Sequence, residues 1–386
     1  MTLAFMTSQG VLTDRTIGGR YTLHGRLARG GAADVYAATD ARLGREVAVK
    51  VLSLGGCTCS ECQIGGEVDV KAEPCGRIAR FAQEAAIGAR IDDPHVVQTY
   101  DAGVDRSGPA PLPYLVMPRV AGRNLRSRIL SGPLHWRSVV IFGRQLLAGL
   151  TAIHEQGVLH GDLKPENCMI CERSGREPYL RIIDLGEAVA VRVSGVRPVC
   201  TVAYTAPERI LGQEVGVQAD IYAVGVILYE MLCRRQPFTG TDEEVIRGHL
   251  RAPPRPPSEV LTRSAVPRPL EQLVLAAMSK EPRHRLASAS SFERALELAC
   301  PEKRQAFVGE LGQSDRVMLG HSRLGSAGFP GLSCSATHAG CAQAQASLAA
   351  WTRFEYEQAR HEADIATALN RAWSPLRLLM SLAPEE

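Results

Sequence analysis

The sequence predicts an α+β fold of two lobes, a small β-rich lobe at the N-terminal end and a larger α-helical lobe after it. Residues 21–52 alternate between apolar and polar side chains, with glycines at the breaks, which is the pattern of antiparallel strands and turns. From residue 138 onward, apolar residues recur at helical spacing. A chain of 386 residues is long enough to hold both lobes in one domain.

The elements follow in order along the chain. Three strands are expected within residues 21–52, because Gly30, Gly31 and Gly44 mark the turns between them. Residues 80–91 have the apolar spacing of a helix. Two further strands are predicted at 96–103 and 113–118, and four later helices at 139–157, 221–232, 270–280 and 291–299.

Two segments stand outside this plan. Residues 55–76 are a glycine- and cysteine-rich insertion before the first helix. After Pro301, a Gly/Ser/Ala stretch leads to one predicted helix, in which Leu348, Trp351 and Phe354 recur at helical spacing. That apolar stripe predicts a contact with a partner or with the chain itself, or simple packing on the large lobe. The expected organisation is an N-terminal extension (1–16), a main domain (17–298) and a C-terminal segment (299–386).

The composition and charge of the chain indicate which partners and which cellular location to expect. The net charge is only +3, from 44 basic and 41 acidic residues, so neither nucleic acid nor a membrane surface is an expected partner. The longest apolar run, at 221–232, is too short to span a bilayer, and the first residues lack the regions of a secretory signal. A cytoplasmic protein is therefore expected, in which the 11 cysteines are free thiols or metal ligands before disulfides.

Several residues have the chemistry that phosphoryl transfer from a nucleotide requires: a cradle for phosphates, a cation, metal ligands and a group that orients the attacking hydroxyl. Residues 27–36 contain a turn whose backbone N–H groups are expected near phosphate, with Val35 covering a base. Lys50 ends the strand VAVK, where it can bind phosphate oxygens, and Glu84 of the following helix can pair with it. This half of the pattern predicts a nucleotide site.

The second half of the pattern is the stretch HGDLKPEN at residues 160–167, followed by Asp184 of IIDLGE. Asp162 can orient a hydroxyl, and Lys164 can neutralise the phosphate during transfer. Asn167 and Asp184 offer oxygen ligands of the kind that Mg²⁺ prefers. Each motif alone is also typical of an ordinary strand end, turn or surface charge, but in this order and spacing they predict catalysis.

In these motifs the chain resembles the eukaryotic-type protein kinases, and among them the Ser/Thr kinases of bacteria. HGDLKPEN resembles the catalytic loop H-R-D-L-K-P-x-N, DLG resembles the D-F-G metal loop, and TAPE at 205–208 resembles the A-P-E segment. The resemblance covers residues 17–298 and implies the bilobal protein-kinase fold.

The resemblance further implies an ATP- and Mg²⁺-dependent serine/threonine kinase that acts on protein substrates in bacterial signalling, with residues 201–208 as the substrate platform. Glu208 is expected to pair with Arg285, and Asp220 to brace the catalytic loop. Lys164 favours Ser/Thr over Tyr substrates in this family. The catalytic residues so implied are Lys50, Glu84, Asp162 and Lys164, the metal ligands are Asn167 and Asp184, and the nucleotide pocket comprises Leu27, Gly30, Val35, Ala48, Lys50, Met117, Pro118, Val120 and Met169.

The chain departs from the family pattern at three places. The turn at 28–33 keeps only the middle glycine of G-x-G-x-x-G, Gly30, which predicts weaker nucleotide binding because alanine lacks glycine's freedom at positive φ. Pro118 replaces a frequent glutamate in the hinge but keeps the carbonyl that adenine needs, and Val120 supplies the donor. Gly161 stands where arginine is common. Since that arginine's anion is a phosphate on the activation loop, its absence predicts activity independent of loop phosphorylation, including that of Ser194.

The insertion offers a second type of site. Its cysteines form the pattern C-x-C-x2-C-x12-C, which could supply four thiolates to zinc; they are Cys57, Cys59, Cys62 and Cys75. Because the spacing is not that of a standard zinc knuckle, a loop with free thiols is the favoured interpretation and zinc the alternative. Cys168 and Cys171 form another C-x2-C on a predicted buried strand, where core packing is expected.

Three hypotheses about function remain open from the sequence. The leading one is an active Ser/Thr protein kinase. The second is a pseudokinase, a binding module without phosphate transfer, which the altered glycine turn favours. The retained site residues argue against it; they are Lys50, Glu84, Asp162, Asn167 and Asp184. A kinase of small molecules is disfavoured, because residues 201–208 resemble a platform for protein substrates.

Overall fold

The structure, a computed structural model, describes residues 12–31, 33–52, 76–108, 111–173, 176–191, 202–261 and 266–300. The chain divides after Pro301 into two units, and every described residue belongs to the first of them. That unit has a β-rich N-terminal lobe followed by a helical C-terminal lobe, so the predicted fold class is confirmed.

A six-stranded antiparallel sheet forms the N-terminal lobe, in the spatial order β1-β2-β3-β4-β6-β5. The strands predicted within residues 21–52 are present, with turns at Gly30–Gly31 and at residues 41–44. The six strands are β1 (Thr16–Ile17), β2 (Tyr21–Arg29), β3 (Ala33–Asp40), β4 (Arg45–Leu52), β5 (Asp101–Asp105) and β6 (Leu112–Pro118).

Helix α1 (Gly76–Arg90) follows the insertion and packs against this sheet. Its Phe81 joins Leu52 of β4 and Leu115 of β6 in one apolar cluster. Glu84, one turn further along, is only 5% exposed. Packing through Phe81 therefore carries a charged side chain into the interior beside β4.

Helices make up most of the C-terminal lobe. Every residue of helix α5 from Ala219 to Cys233 is buried, because the other elements of the lobe cover it on all sides. Capping boxes start two of the outer helices, Thr241 with Glu244 and Ser288 with Ser291. The helices are α2 (Leu125–Leu130), α3 (Trp136–His154), α4 (Pro207–Ile210), α5 (Gln218–Cys233), α6 (Asp242–Arg251), α7 (Pro257–Val260), α8 (Arg268–Ala277) and α9 (Ala289–Ala299).

Two small sheets fix the ends of the loop at 160–167, and of their strands the sequence analysis predicted the one that carries Cys168 and Cys171. The loop leaves β8 (Val158–Leu159), which pairs with β11 (Val189–Ala190). It enters β9 (Cys168–Arg173), which lies between β7 (Gly122–Asn124) and β10 (Arg176–Ile182). Both ends of the loop are therefore held by strand pairing.

The strand predicted at 96–103 is wrong for its first half, since β5 begins only at Asp101. Val97 N donates to the carbonyl of Ile182 at 2.9 Å, and Thr99 N donates to that of Gly88 at 3.0 Å. The alternating pattern is present, but the Val97 amide bonds to the last residue of β10 in the C-terminal lobe and the Thr99 amide bonds to helix α1. The bridge between Val96 and Ile182 is isolated, so residues 96–100 do not form a strand.

The cysteine-rich insertion and the predicted C-terminal helix lie outside the described residues and stay predictions. In the part of the chain that the structure describes, no helix combines the length and the apolar character that a membrane crossing needs.

Candidate active site

Lys50 joins three parts of the fold at one ammonium group. It lies in β4, opposite Val35 of β3 and Leu115 of β6. Its Nζ donates to both carboxylate oxygens of Glu84, at 2.7 and 2.8 Å, and to Asp184 Oδ1 at 2.7 Å. The structure thus brings together the sheet, helix α1 and the segment after β10 at the residues that the sequence selected.

The cluster of Lys50, Glu84 and Asp184 has more negative than positive charge, because two carboxylates share one ammonium. Burial raises the pKa of Glu84 to about 7, which Lys50 only partly offsets. Burial acts to lower the pKa of Lys50, but the charges of Glu84 and Asp184 outweigh it and the pKa is raised. Burial also acts to raise the pKa of Asp184, yet Lys50 and the N–H of Gly186 lower it. Since the Glu84 side chain is 6% exposed and that of Asp184 45%, Glu84 takes up a proton first.

Asp220 of α5 holds the backbone at the start of the catalytic loop. Its Oδ2 accepts from His160 N at 2.9 Å, and its Oδ1 accepts from Gly161 N at 3.1 Å. The His154 ring nitrogen Nε2 lies 2.9 Å from the same carboxylate. Burial acts to raise the pKa of Asp220, but the hydrogen bond and charge of His154 lower it. An ionised carboxylate therefore anchors the two residues that precede Asp162.

Two neighbours in the loop orient the Asp162 carboxylate. Lys164 forms an ion pair with Asp162 Oδ2. Asn167 Nδ2 donates to the Asp162 carbonyl at 2.8 Å and lies 3.4 Å from Oδ2. Asp162 Oδ1 accepts no hydrogen bond from any described residue, so it is the atom available to a substrate hydroxyl.

The oxygen atoms left over by these contacts suit a magnesium ion. Asn167 uses its Nδ2 on Asp162, and its Oδ1 has no partner among the described residues. Asp184 Oδ1 accepts from Lys50 and, at 3.1 Å, from Gly186 N, which leaves Oδ2. Among the described residues, no three His, Cys, Asp or Glu side chains are grouped to hold a metal. Mg²⁺ is usually held by one or two carboxylates and the phosphates of a substrate, so the residues present fit it.

The predicted nucleotide pocket is divided between the two lobes. Val35 lies opposite Lys50, and Ala48 lies opposite Met117. Opposed residues in antiparallel strands share a face, as do residues two apart, so these four side chains share one face of the sheet. The other predicted positions are Leu27 and Gly30 at the end of β2, Pro118 and Val120 at the end of β6, and Met169 in β9.

Gly30 is required by the turn between β2 and β3. Its N–H donates to the carbonyl of Ala33 at 3.0 Å. A Cβ on Gly30 would lie 2.6 Å from that same oxygen, which is too close for any other residue. One amide of the turn is therefore used within the turn, and not for a phosphate.

The segment after the 3₁₀ turn Val202–Tyr204 is anchored by a buried ion pair. Arg285 Nη1 and Nη2 lie 2.7 and 2.8 Å from the two carboxylate oxygens of Glu208. Both residues are less than 5% exposed. The pair is the one that the resemblance implied, and it fixes helix α4.

Arg126 is a functional candidate that the sequence analysis missed. Its Nε donates to Glu166 Oε1 at 2.8 Å, and its two other nitrogens donate to Glu230 and to the Tyr204 hydroxyl. Tyr204 in turn donates to Glu230 Oε2 at 2.6 Å. This network ties the catalytic loop to α5 and to the platform, and no local pattern around Arg126 indicates it.

The predictions for the cysteines concern two groups, one in β9 and one in the insertion. Cys168 and Cys171 are buried in β9, as core packing requires, and burial raises the pKa of Cys168. The four cysteines of the insertion lie outside the described residues, so both zinc and free thiols stay predictions there.

Comparisons with known proteins agree with this geometry. The family described as "Protein kinase domain" matches residues 21–296. The chain is 35% identical over 297 residues to a probable serine/threonine-protein kinase of Streptomyces coelicolor, which is 74% of this chain and 40% of that protein. It is 34% identical to the probable serine/threonine-protein kinase PknB of Bifidobacterium longum, over 72% of this chain and 39% of that protein.

A third relative is the serine/threonine-protein kinase PknB of Mycobacterium tuberculosis, which is 32% identical over 293 residues. That match covers 74% of this chain and 43% of that protein. The chain therefore spans about two fifths of the length of the curated relatives that it matches.

Proposed function

The chain belongs to the protein kinase domain family, and from that premise we propose that it is a serine/threonine kinase that transfers the γ-phosphoryl group of ATP to protein hydroxyls. The observation that carries the proposal is the set of contacts around Lys50, which joins Glu84 and Asp184 beside a catalytic loop. The names of the bacterial relatives support Ser/Thr as the acceptor class.

Each residue then has a role that follows from its contacts. Lys50 binds phosphate oxygens, and Glu84 holds its ammonium in place. Asp162 accepts the hydrogen of the attacking hydroxyl through Oδ1, the oxygen that the loop leaves without a partner. Lys164, now paired with the other oxygen, lies close enough to neutralise charge that develops on the transferred phosphoryl group.

Asn167 Oδ1 and Asp184 Oδ2 are the atoms that would hold Mg²⁺. When bound, this ion neutralises negative charge on the phosphates. The adenine would be bound by apolar side chains from both lobes, with the backbone of Pro118 and Val120 as its polar partners; these side chains are Leu27, Val35, Ala48, Met117 and Met169.

We also propose the finer points that the resemblance implies. The catalytic domain spans residues 17–298, acts in the cytoplasm and serves bacterial signalling. Residues 201–208 receive the protein substrate. Phosphorylation of the loop between Asp184 and Glu208 is not required for activity, because Gly161 replaces the arginine that would bind the phosphate.

The test is phosphate transfer from labelled ATP to a generic protein by the purified chain. Wild type should label Ser and Thr of the acceptor, and Asp162→Ala should lower the rate at least about 100-fold. Asp242→Ala is the matched control, because Asp242 is an exposed aspartate in the first turn of α6. Transfer by Asp162→Ala at the rate of wild type would contradict the role of Asp162.

A pseudokinase is the second candidate, and one observation favours it. Gly30 is the only glycine left of the family's G-x-G-x-x-G pattern, and its amide is already bonded to Ala33. A purified wild type that binds Mg²⁺–ATP without labelling any acceptor would favour this alternative over the kinase.

A further inference from the structure

Charged side chains hold the peptide groups on both sides of Gly161. Its N–H donates to Asp220 Oδ1 at 3.1 Å. Its carbonyl accepts a hydrogen bond from Arg209 Nη1. That carbonyl belongs to the peptide bond that leads directly into Asp162, so the position of the Asp162 backbone depends on both contacts.

Arg209 is a buried cation whose side chain donates a hydrogen bond to the catalytic loop. It is 5% exposed, and its Nε has no hydrogen-bond partner among the described residues. It lines a cavity of about 20 Å³ together with Asp162 and Asp220. Burying a guanidinium costs free energy unless hydrogen bonds and nearby charges offset it. The Gly161 carbonyl supplies the hydrogen bond, and the two carboxylates supply negative charge on the walls of the same cavity.

The ion pair between Glu208 and Arg285 holds the backbone of Arg209 in place. Arg209 lies in the short helix α4, and the residue before it, Glu208, is held by Arg285 at 2.7 and 2.8 Å. Arg209 N also donates to the Ala206 carbonyl at 3.0 Å. The backbone that carries the guanidinium is therefore anchored on the C-terminal lobe, and the side chain reaches from there to the loop.

Gly161 and Arg209 are also sterically matched. Gly161 has φ +79°, in the left-handed region that favours glycine. A Cβ on it would lie 2.4 Å from the carbonyl oxygen of Glu187 and 3.1 Å from Arg209 Nη1. The space where a side chain of residue 161 would start is thus already occupied by Glu187 and Arg209.

We propose that Arg209 is a positioning residue, which fixes the peptide between Gly161 and Asp162 and so couples the substrate platform to the Asp162 carboxylate. Its role in catalysis rests on the proposed kinase function, whereas its hold on the loop does not. Arg209 directly follows residues 201–208, the segment that would receive the substrate, so a protein acceptor docked on that segment meets an Asp162 already in place.

The experiment compares Arg209→Met, Arg209→Lys and a control, Arg283→Met, which removes an exposed arginine. Two measurements are made on the full chain. One is steady-state phosphate transfer, with kcat and KM determined for ATP. The other is amide hydrogen exchange of the loop at residues 158–164, which needs no activity.

Arg209→Met should lower kcat about 100-fold, since a displacement of about 1 Å can cost that much, and leave KM for ATP within about twofold. Exchange of the Gly161 and Asp162 amides should rise about tenfold. Arg209→Lys keeps a cation and a donor, so it should recover at least about tenfold of the lost kcat. Arg283→Met should match wild type in both measurements.

The possible outcomes distinguish the positioning role of Arg209 from the proposed kinase function. Unchanged loop exchange in Arg209→Met, or in Arg209→Ala if the first variant does not fold, overturns the positioning role. Faster exchange with no transfer by wild type supports the contact and rejects the kinase function instead. A rise in KM for ATP with unchanged kcat also overturns the positioning role, because it would place Arg209 in nucleotide binding.

Discussion

Lys50 donates to both oxygens of Glu84, at 2.7 and 2.8 Å, while its third contact reaches Asp184 at 2.7 Å. The cluster carries one net negative charge when all three groups are ionised. Glu84 is the most buried carboxylate in it, and burial raises its pKa to about 7. The ion pair that holds Lys50 is therefore sensitive to pH near neutrality.

The first prediction is that kcat/KM for ATP falls as the pH drops through about 7, because protonation of Glu84, whose pKa is raised to about 7, removes the anion that fixes Lys50. The parameter kcat/KM is the appropriate one, since it reports ionisations of the free enzyme. The measurement is a pH–rate profile of phosphate transfer between about pH 5 and 9. A flat profile down to pH 5 would contradict the prediction.

A comparison of wild type with the variant Glu84→Gln measures how the same ionisation affects the stability of the fold. A carboxyl whose pKa is raised from 4.5 to about 7 on folding stabilises the fold fully below pH 4.5, and this contribution is lost as the pH rises through about 7. The Tm of wild type relative to Glu84→Gln should therefore be higher at the acid end of this range. A difference in Tm that does not vary with pH would exclude the raised pKa.

A second prediction concerns Asp184→Asn. Asparagine keeps the shape of the side chain but removes the charge that binds the metal ion and helps to hold Lys50. Phosphate transfer should fall by at least about 100-fold, equivalent to about 2.7 kcal/mol of barrier, while the Tm changes by only a few degrees. Turnover like that of wild type would be incompatible with the assigned role of Asp184.

The third prediction is structural and concerns the pair of Arg285 with Glu208. Arg285→Met should lower the free energy of unfolding by about 3–5 kcal/mol, because it leaves Glu208 charged and buried without its partner. Urea unfolding measures this, and Arg283→Met, an exposed neighbour, should change it by less than about 0.5 kcal/mol.

A double variant tests the reason for that loss. Glu208→Leu with Arg285→Met removes both charges and should recover part of the stability. The recovery should be incomplete, because Arg285 also donates to the carbonyls of Ser279, Gln218 and Lys280. If the double variant is as unstable as the sum of the single ones, the charge left behind is not the cause.

The residues around Lys50 could be found from the sequence because each belongs to a local pattern. Lys50 ends a strand, Asp162 and Asn167 share one loop, and Asp184 begins a turn. Their contacts cross 34 positions from Lys50 to Glu84 and 134 positions to Asp184. Those pairings follow from the order of motifs in the family, since spacing alone does not bring such distant residues together.

Arg209 and Arg126 could not be found in the same way. Arg209 reaches a carbonyl 48 positions away, and Arg126 reaches carboxylates 40 and 104 positions away. An arginine at a helix end is most often a surface charge, and only the packing of the helix decides which group it meets. The wrong prediction of a strand at Val97 has the same origin, because an alternating pattern does not indicate which backbone carbonyl the Val97 amide will bond.

A fourth prediction is that catalysis does not depend on phosphorylation of the loop between Asp184 and Glu208. Arg209, the cation bonded to the Gly161 carbonyl, is only 5% exposed, so it is not open to a loop phosphate. Treatment with a phosphatase, combined with Ser194→Ala, should change the initial rate by less than about threefold. A hundredfold drop, about 2.7 kcal/mol of barrier, would show that the loop is a phosphorylation switch.

The last prediction is that restoring the family's arginine at position 161 harms the enzyme. Gly161→Arg must place a Cβ 2.4 Å from the Glu187 carbonyl and adopt φ +79°, which costs a non-glycine residue about 1–2 kcal/mol before any clash is relieved. Gly161→Ala carries the same Cβ without the charge, so it is the control that separates backbone strain from electrostatics. Both variants should lower the Tm and kcat, and Gly161→Arg should be the worse of the two, because its guanidinium meets that of Arg209. A gain in kcat with Gly161→Arg, but not with Gly161→Ala, would instead show that the loop can move to accept the side chain and that the glycine is not sterically required.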